Sequence, residues 1–241
     1  MPGQNMIAPE TLMTRIGAPD APVLIDVCID EDFALDPRLI PGAFRHPFAE
    51  VEALAPGLAG EEVVVICQKG LKLSQGAAAL LRSRGIHAAA LSGGMVEWAA
   101  RGLPAIPASA LPARRVAAPA SPSNDQLAAL WLIRRFAVPD AQILFVQPNA
   151  AHAVADRFDA TPLAGYDETL SAFSLDAAAL RRIGDLLGGN APEAPGLAAA
   201  LAGLRAMHAD DLACLAASLP LFDALHRAFA DASEDAKGAA R

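Results

Sequence analysis

The sequence predicts an α/β N-terminal domain, built on a parallel sheet with helices on both faces, followed by a mostly α C-terminal domain. Three observations carry this. Short apolar runs rich in β-branched residues alternate with helix-length segments through about residue 107. That alternation is the pattern of a parallel sheet whose crossovers are helices. A Pro/Ala-rich stretch then interrupts it at 108–123, and helical periodicity dominates beyond.

The elements follow in order. Residues 7–16 read as a short helix, and 23–27 as a buried strand. The Pro41-Gly42 turn leads into a short strand near 43–46. The run Val63-Val64-Val65-Ile66 is continuous and β-branched, hence a central strand. Residues 75–84 form a helix that Gly85 stops from the C′ position. A further strand at 86–91 and a last short helix at 95–100 complete the domain, which spans 1–107. The prolines between 104 and 122 read as a stiff extended linker, with Arg114-Arg115 as a solvated pair within it. From residue 124 Asp125 can cap a helix to about Phe136, and 143–146 can be one short strand. Helices are expected at 176–187, 197–207 and 210–230, with Pro220 restarting or kinking the last. This second domain covers 124–230, and the small, polar stretch 231–241 reads as a flexible tail.

Composition narrows the function. Of 241 residues 54% are hydrophobic, enough for sizeable cores. A net charge of −8 argues against nucleic-acid binding, which needs a basic face. The three cysteines form no C-x-x-C and no even framework, as suits a reducing, cytoplasmic setting. No basic segment followed by an apolar core opens the chain, and no apolar run approaches ~20 residues, so neither a signal peptide nor a membrane span is expected. The five histidines show no ligand spacing on one helix, so no metal and no cofactor is expected. Gly188-Gly189 lacks a following Lys-Ser/Thr and reads as a helix stop, not a phosphate loop.

Cys67 is the candidate nucleophile. It stands between a buried strand and a helix N-terminus, where loop N–H groups and the helix dipole favour an anion. Gln68, Lys69, Gly70, Leu71 and Lys72 then form a candidate anion-binding loop, with two lysines adding positive charge. Cysteine is also a common core residue, so position alone does not separate a reactive thiol from a packed one. Cys28 lies just past a strand end expected on the same side of the sheet. It reads as a half-buried thiol or, in the alternative, a resolving partner for Cys67. Trp131-Leu132-Ile133-Arg134-Arg135-Phe136 puts adjacent arginines among apolar neighbours. Arg134 and Arg135 are therefore either a candidate anion site or surface stems packed on the core.

Four motifs in one order resemble the rhodanese (sulfurtransferase) family. They are Val23-Leu24-Ile25-Asp26-Val27, Ile40-Pro41-Gly42-Ala43, the loop Cys67 to Lys72, and Gly93-Gly94 with Trp98. The resemblance implies that Cys67 carries sulfur as a persulfide, taking it from a small anionic donor and passing it to a thiol, to cyanide or to a partner protein. The chain departs from the family at Cys28 and at Lys72, both commonly Arg. Related phosphatases and arsenate reductases have a loop one residue longer, with Arg six positions after the Cys; here that position is Leu73, which favours sulfur transfer.

The second half resembles the C-terminal domain of chromate-resistance proteins. The match rests on Trp131 to Phe136, on Pro192-Glu193-Ala194-Pro195-Gly196-Leu197, and on Leu221-Phe222-Asp223-Ala224-Leu225. The family's Cys-Pro before the Trp is Ala129-Leu130 here, and its His and Cys before a Phe are absent ahead of Phe173. The two resemblances together imply a sulfurtransferase acting in chromate or oxyanion stress. The alternative is a non-catalytic rhodanese-like sensor or regulator of chromate resistance.

Overall fold

The computed structural model describes residues 5–239, with side chains through residue 232. The chain divides into two compact units, Met1–Ser109 and Ala110–Arg241.

In the first unit the strands β1 (Met6–Ile7), β2 (Val23–Asp26), β4 (Ala43–Arg45), β5 (Glu62–Ile66) and β6 (His87–Leu91) form one parallel sheet in the order β1-β6-β5-β2-β4. The short strands β3 (Arg38–Leu39) and β7 (Ile106–Pro107) pair antiparallel as a separate ribbon. The helices are α1 (Pro9–Met13), α2 (Asp30–Phe33), α3 (Lys72–Ser83) and α4 (Gly94–Ala100). A 3₁₀ stretch over Phe48–Leu58, unexpected from the sequence, packs against α3. The valine run of β5 is buried residue after residue, as a central parallel strand requires. Ile25, Val27, Val63 and Val65 meet Ala77, Ala78 and Leu81 of α3 and Val51 and Leu58 of the 3₁₀ stretch. The alternate residues Leu24, Val64 and Ile66 are buried as well, so both sheet faces are covered.

The second unit corrects the sequence reading of 108–123. That stretch holds β8 (Arg115–Pro119), the middle strand of a parallel sheet with β9 (Gln142–Val146) and β10 (Ala160–Pro162). Val116, Ala117 and Ala118 are fully buried, so this is core and not a solvated spacer. Helices make up the remainder: α5 (Asn124–Leu132), α6 (Ala151–Arg157), α7 (Tyr166–Ala172), α8 (Ala178–Leu187), α9 (Ala194–Met207) and α10 (Asp211–Ala239). The cap of α5 is Ser123, which exchanges side-chain and backbone hydrogen bonds with Gln126. Asp125, expected there, instead accepts from the Tyr166 N–H at 3.2 Å and ties α7 to α5.

α10 runs through Pro220 and on to Ala239, so most of the expected flexible tail is helix, while residues 240–241 lie outside the described ones. Its Asp211–Ala232 portion is the one described helix long and apolar enough to cross a membrane, at a mean hydropathy of 1.2. It packs against α5, α8 and α9, and buries Cys214, Leu215, Ser218 and Phe222.

Candidate functional site

The site of the first unit lies where β2 and β5 end side by side, with Asp26 in register with Ile66. Ligand sites of parallel sheets lie at these C-terminal strand edges. Cys67 follows β5 directly and is 4% exposed. The chain then turns through Gln68 to Leu71 and enters α3 at Lys72.

The loop is held by its carbonyls. Met95 N–H donates to the Cys67 carbonyl at 3.0 Å and Val96 N–H to the Gln68 carbonyl at 2.9 Å. Gln75 donates its side-chain amide to the Gly70 carbonyl at 2.9 Å and its backbone N–H to the Leu71 carbonyl at 3.0 Å. The loop N–H groups from Gln68 to Lys72, by contrast, have no acceptor among the described residues. Five such donors follow the cysteine and lead into the first turn of α3, the kind of backbone groups that bind anions.

Gly70 and Gly94 make this arrangement possible. Both have positive φ, at +65° and +59°. A Cβ on Gly70 would stand 2.6 Å from the Gly94 nitrogen, and one on Gly94 would strike the Cys67 carbonyl oxygen and the Gly70 nitrogen. The Gly-Gly turn therefore seats α4 directly on the loop. Trp98, fully buried and donating Nε1–H to the Pro104 carbonyl at 2.8 Å, anchors the far side of α4.

Ser74 is a site residue that the sequence reading missed. Its fully buried Oγ lies 3.1 Å from Cys67 Sγ, and its hydroxyl reaches the Leu71 carbonyl at 3.4 Å. The thiol donates to Ser74; in the thiolate the serine hydroxyl turns to donate instead. The signal available was its place in the first turn of the helix that begins at the loop. Lys69 and Lys72 are exposed and enter no ion pair among the described residues, so their charge is free to act on solutes.

Cys28 lies next to this loop, sharing a buried cluster with Cys67 and a cavity wall with Gln68. Burial first, then the neighbouring Asp26 carboxylate, push its thiol far above the ordinary range. A thiol held neutral attacks slowly, which favours the packed reading of Cys28 over the resolving one. Asp26, itself 2% exposed, accepts from the Cys28 N–H at 2.7 Å. Burial raises the Asp26 carboxyl, against the hydrogen bonds from Cys28 and the field of Arg45. Arg45 spans this corner, donating to the Cys28 carbonyl at 2.9 Å and to Asp30 at 2.8 Å, with its guanidinium 4.1 Å above the Phe33 ring. A cavity of about 300 Å³ opens between Cys28, Asp32, Gln68 and Val96.

In the second unit Arg135 is taken up by an internal carboxylate, while Arg134 keeps a buried Nε–H without an acceptor among the described residues. Both lie in a π-helical segment, Ile133–Ala137, that continues α5. Arg135 forks onto Asp223 of α10 with two bonds of 2.8 Å. Trp131 Nε1–H donates to the same carboxylate at 2.8 Å. Arg134 turns to the Ala141 carbonyl at 3.1 Å, and burial followed by the Arg135 charge lowers its pKa. The two guanidiniums thus serve separate internal partners. Trp131 stacks among Phe136, Phe222 and His226 at centroid distances of 5.5–5.9 Å within the cluster. Arg135 and Asp223 are therefore the polar lock of an aromatic core.

Known proteins resemble both halves. Residues 8–101 match the model of the Rhodanese-like domain, and residues 117–229 that of ChrB, C-terminal domain. Among solved structures, a rhodanese-related protein from Thermoplasma volcanium is 22% identical, covering 43% of this chain and 98% of its own, with a TM-score of 0.37. A thiosulfate sulfurtransferase from Pseudomonas aeruginosa is 29% identical, covering 43% of this chain and 19% of its own, with a TM-score of 0.37. A rhodanese-like domain protein from Staphylococcus aureus is 24% identical, covering 39% and 91%, with a TM-score of 0.35. No curated protein matches the chain. The polypeptide joins a segment that matches the Rhodanese-like domain to one that matches the ChrB C-terminal domain.

Proposed function

We propose that the rhodanese-like domain is a sulfurtransferase with Cys67 as its sulfur carrier. The observation that carries this is the loop held by its carbonyls, which leaves the N–H groups of Gln68 to Lys72 without an acceptor among the described residues, directly after a buried cysteine. Fixed donors of this kind stabilise a charge as it forms, without reorganisation at the moment of reaction. With thiosulfate as donor, the Cys67 thiolate attacks the outer sulfur. A new S–S bond forms at Cys67, the donor S–S bond breaks, and sulfite leaves with the electron pair. The persulfide anion rests in the loop. A thiol or cyanide then removes the outer sulfur and restores the Cys67 thiolate. Lys69 and Lys72 attract the anionic donor. Two half-reactions through one covalent intermediate predict ping-pong kinetics.

The ChrB C-terminal domain supports placing this chemistry in chromate or related oxyanion stress. A second reading, a non-catalytic sensor, is favoured by Lys72, which is exposed and replaces the bidentate Arg of the family. Intact-protein mass spectrometry after incubation with thiosulfate decides between them, beside Cys67→Ser. The sulfurtransferase gains one sulfur on the wild type alone, released by cyanide as thiocyanate. No gain with thiosulfate, mercaptopyruvate or a small persulfide leaves the sensor.

A further inference from the structure

We infer that the cavity beside the Cys67 loop is the acceptor site, and that it selects a small thiol bearing an amine. The inference rests on the sulfurtransferase reading above and names the second substrate of that site. Its volume of about 300 Å³ stands at the lower end of ligand pockets, roughly 300–1,000 Å³, and fits a small thiol better than a peptide.

The cavity borders the loop that begins at Cys67. Gln68, the residue after Cys67, is in its wall. Met95 and Val96, also in the wall, donate the N–H bonds that hold the Cys67 and Gln68 carbonyls. Cys28, also in the wall, belongs to the same buried cluster as Cys67. The space opens where the family commonly has Arg and this chain has Cys28, so a smaller neutral side chain stands in place of a long cation.

Charge gives the selectivity. Three carboxylates line the cavity: Asp26, Asp32 and Asp36. Asp36 is neutralised by the fork of Arg38, at 2.7 Å for Nη2. Asp26 is turned to Cys28. Asp32 is half-buried and enters no ion pair among the described residues. The cavity is therefore left with a negative excess, while Lys69 and Lys72 stand outside its lining. An anionic donor is drawn to the lysines, and a cationic acceptor to Asp32. The donor and the acceptor are thus drawn to different groups around the loop. In the acceptor step the thiolate attacks the outer persulfide sulfur and forms a new S–S bond. The bond to Cys67 breaks, its electron pair returns to Sγ, and the acceptor's thiol proton goes to solvent. No net oxidant or reductant is consumed.

The test loads full-length protein with thiosulfate and follows loss of the added sulfur by intact mass. Cysteamine, 2-mercaptoethanol and 3-mercaptopropionate are compared, each rate divided by that thiol's rate toward a free small persulfide. The expected normalised order is cysteamine, then mercaptoethanol, then mercaptopropionate. Added salt compresses the order. Asp32→Asn narrows the amine-to-acid ratio roughly fivefold, as loss of one partly exposed charge pair does, and Cys28→Arg reverses it. Equal normalised rates for the wild type, or a preference for the acid, overturn the inference whatever the variants do. Failure of the underlying reading is seen earlier, as no persulfide before any acceptor is added, and it removes the inference too.

Discussion

Gly70 and Gly94 meet back to back, each backbone occupying the space that the other's side chain would need. This contact joins the Cys67 loop to α4, and it turns the late glycine pair into part of the site. Gly94→Ala is expected to cost about 3 kcal/mol, combining left-handed strain with overpacking, and to abolish persulfide formation. Gly102, at φ +66° with open space around it, supplies the control. Its Ala variant pays only the backbone term, about 1 kcal/mol, and keeps loading. Urea unfolding and intact mass of the two variants check the pair. Equal behaviour would refute the contact's role.

Ser74 is expected to matter through the thiolate. Losing a hydrogen bond to a charged group costs about 1.5–3 kcal/mol, so Ser74→Ala slows sulfur loading at least roughly tenfold at neutral pH, with little change in fold. Ser74→Thr, which keeps the hydroxyl, recovers part of the rate. Single-turnover loading with thiosulfate measures both.

Asp223 holds Arg135 and Trp131 at once, with Arg135 21% and Asp223 9% exposed. Asp223→Ala leaves a half-buried guanidinium and an indole N–H without their acceptor. The expected loss is about 3 kcal/mol for the second unit, read as an earlier urea midpoint. Sulfur loading on Cys67 is the readout that separates this local loss from general unfolding.

His226 sets an acid limit. Burial among Trp131 and Phe136 holds its pKa below the ordinary 6.5, against the pull of Asp223. A group depressed in the fold stabilises it above the unfolded pKa. That contribution is lost as pH falls from about 6.5 through the folded value. The second unit should therefore weaken as the pH is lowered below that point. His226→Phe should flatten that limb in a thermal-unfolding series against pH, and an unchanged slope would count against it.

The first unit was largely legible because its signals are local. The valine run of β5, the Gly85 stop and the cysteine before α3 each announce themselves within a few residues. Ser74 was not legible as a partner of Cys67, because the contact depends on how the loop folds back. β8 was hidden for a different reason. Its buried residues include two alanines, which carry little strand preference, and Pro119 at its end carries a turn signal. The arginine pair was ambiguous because Asp223 lies 88 residues from Arg135. The cap of α5 slipped from Ser123 to Asp125 since both types cap equally well.

The central place of β8 also bears on where the chain can be cut. A fragment begun at Asn124, the boundary that composition suggests, would discard β8, which lies between β9 and β10. Two short strands would be left with bare edges and no common neighbour, a template for self-association rather than a folded domain. Begun at Ala110, the same fragment carries its own keystone.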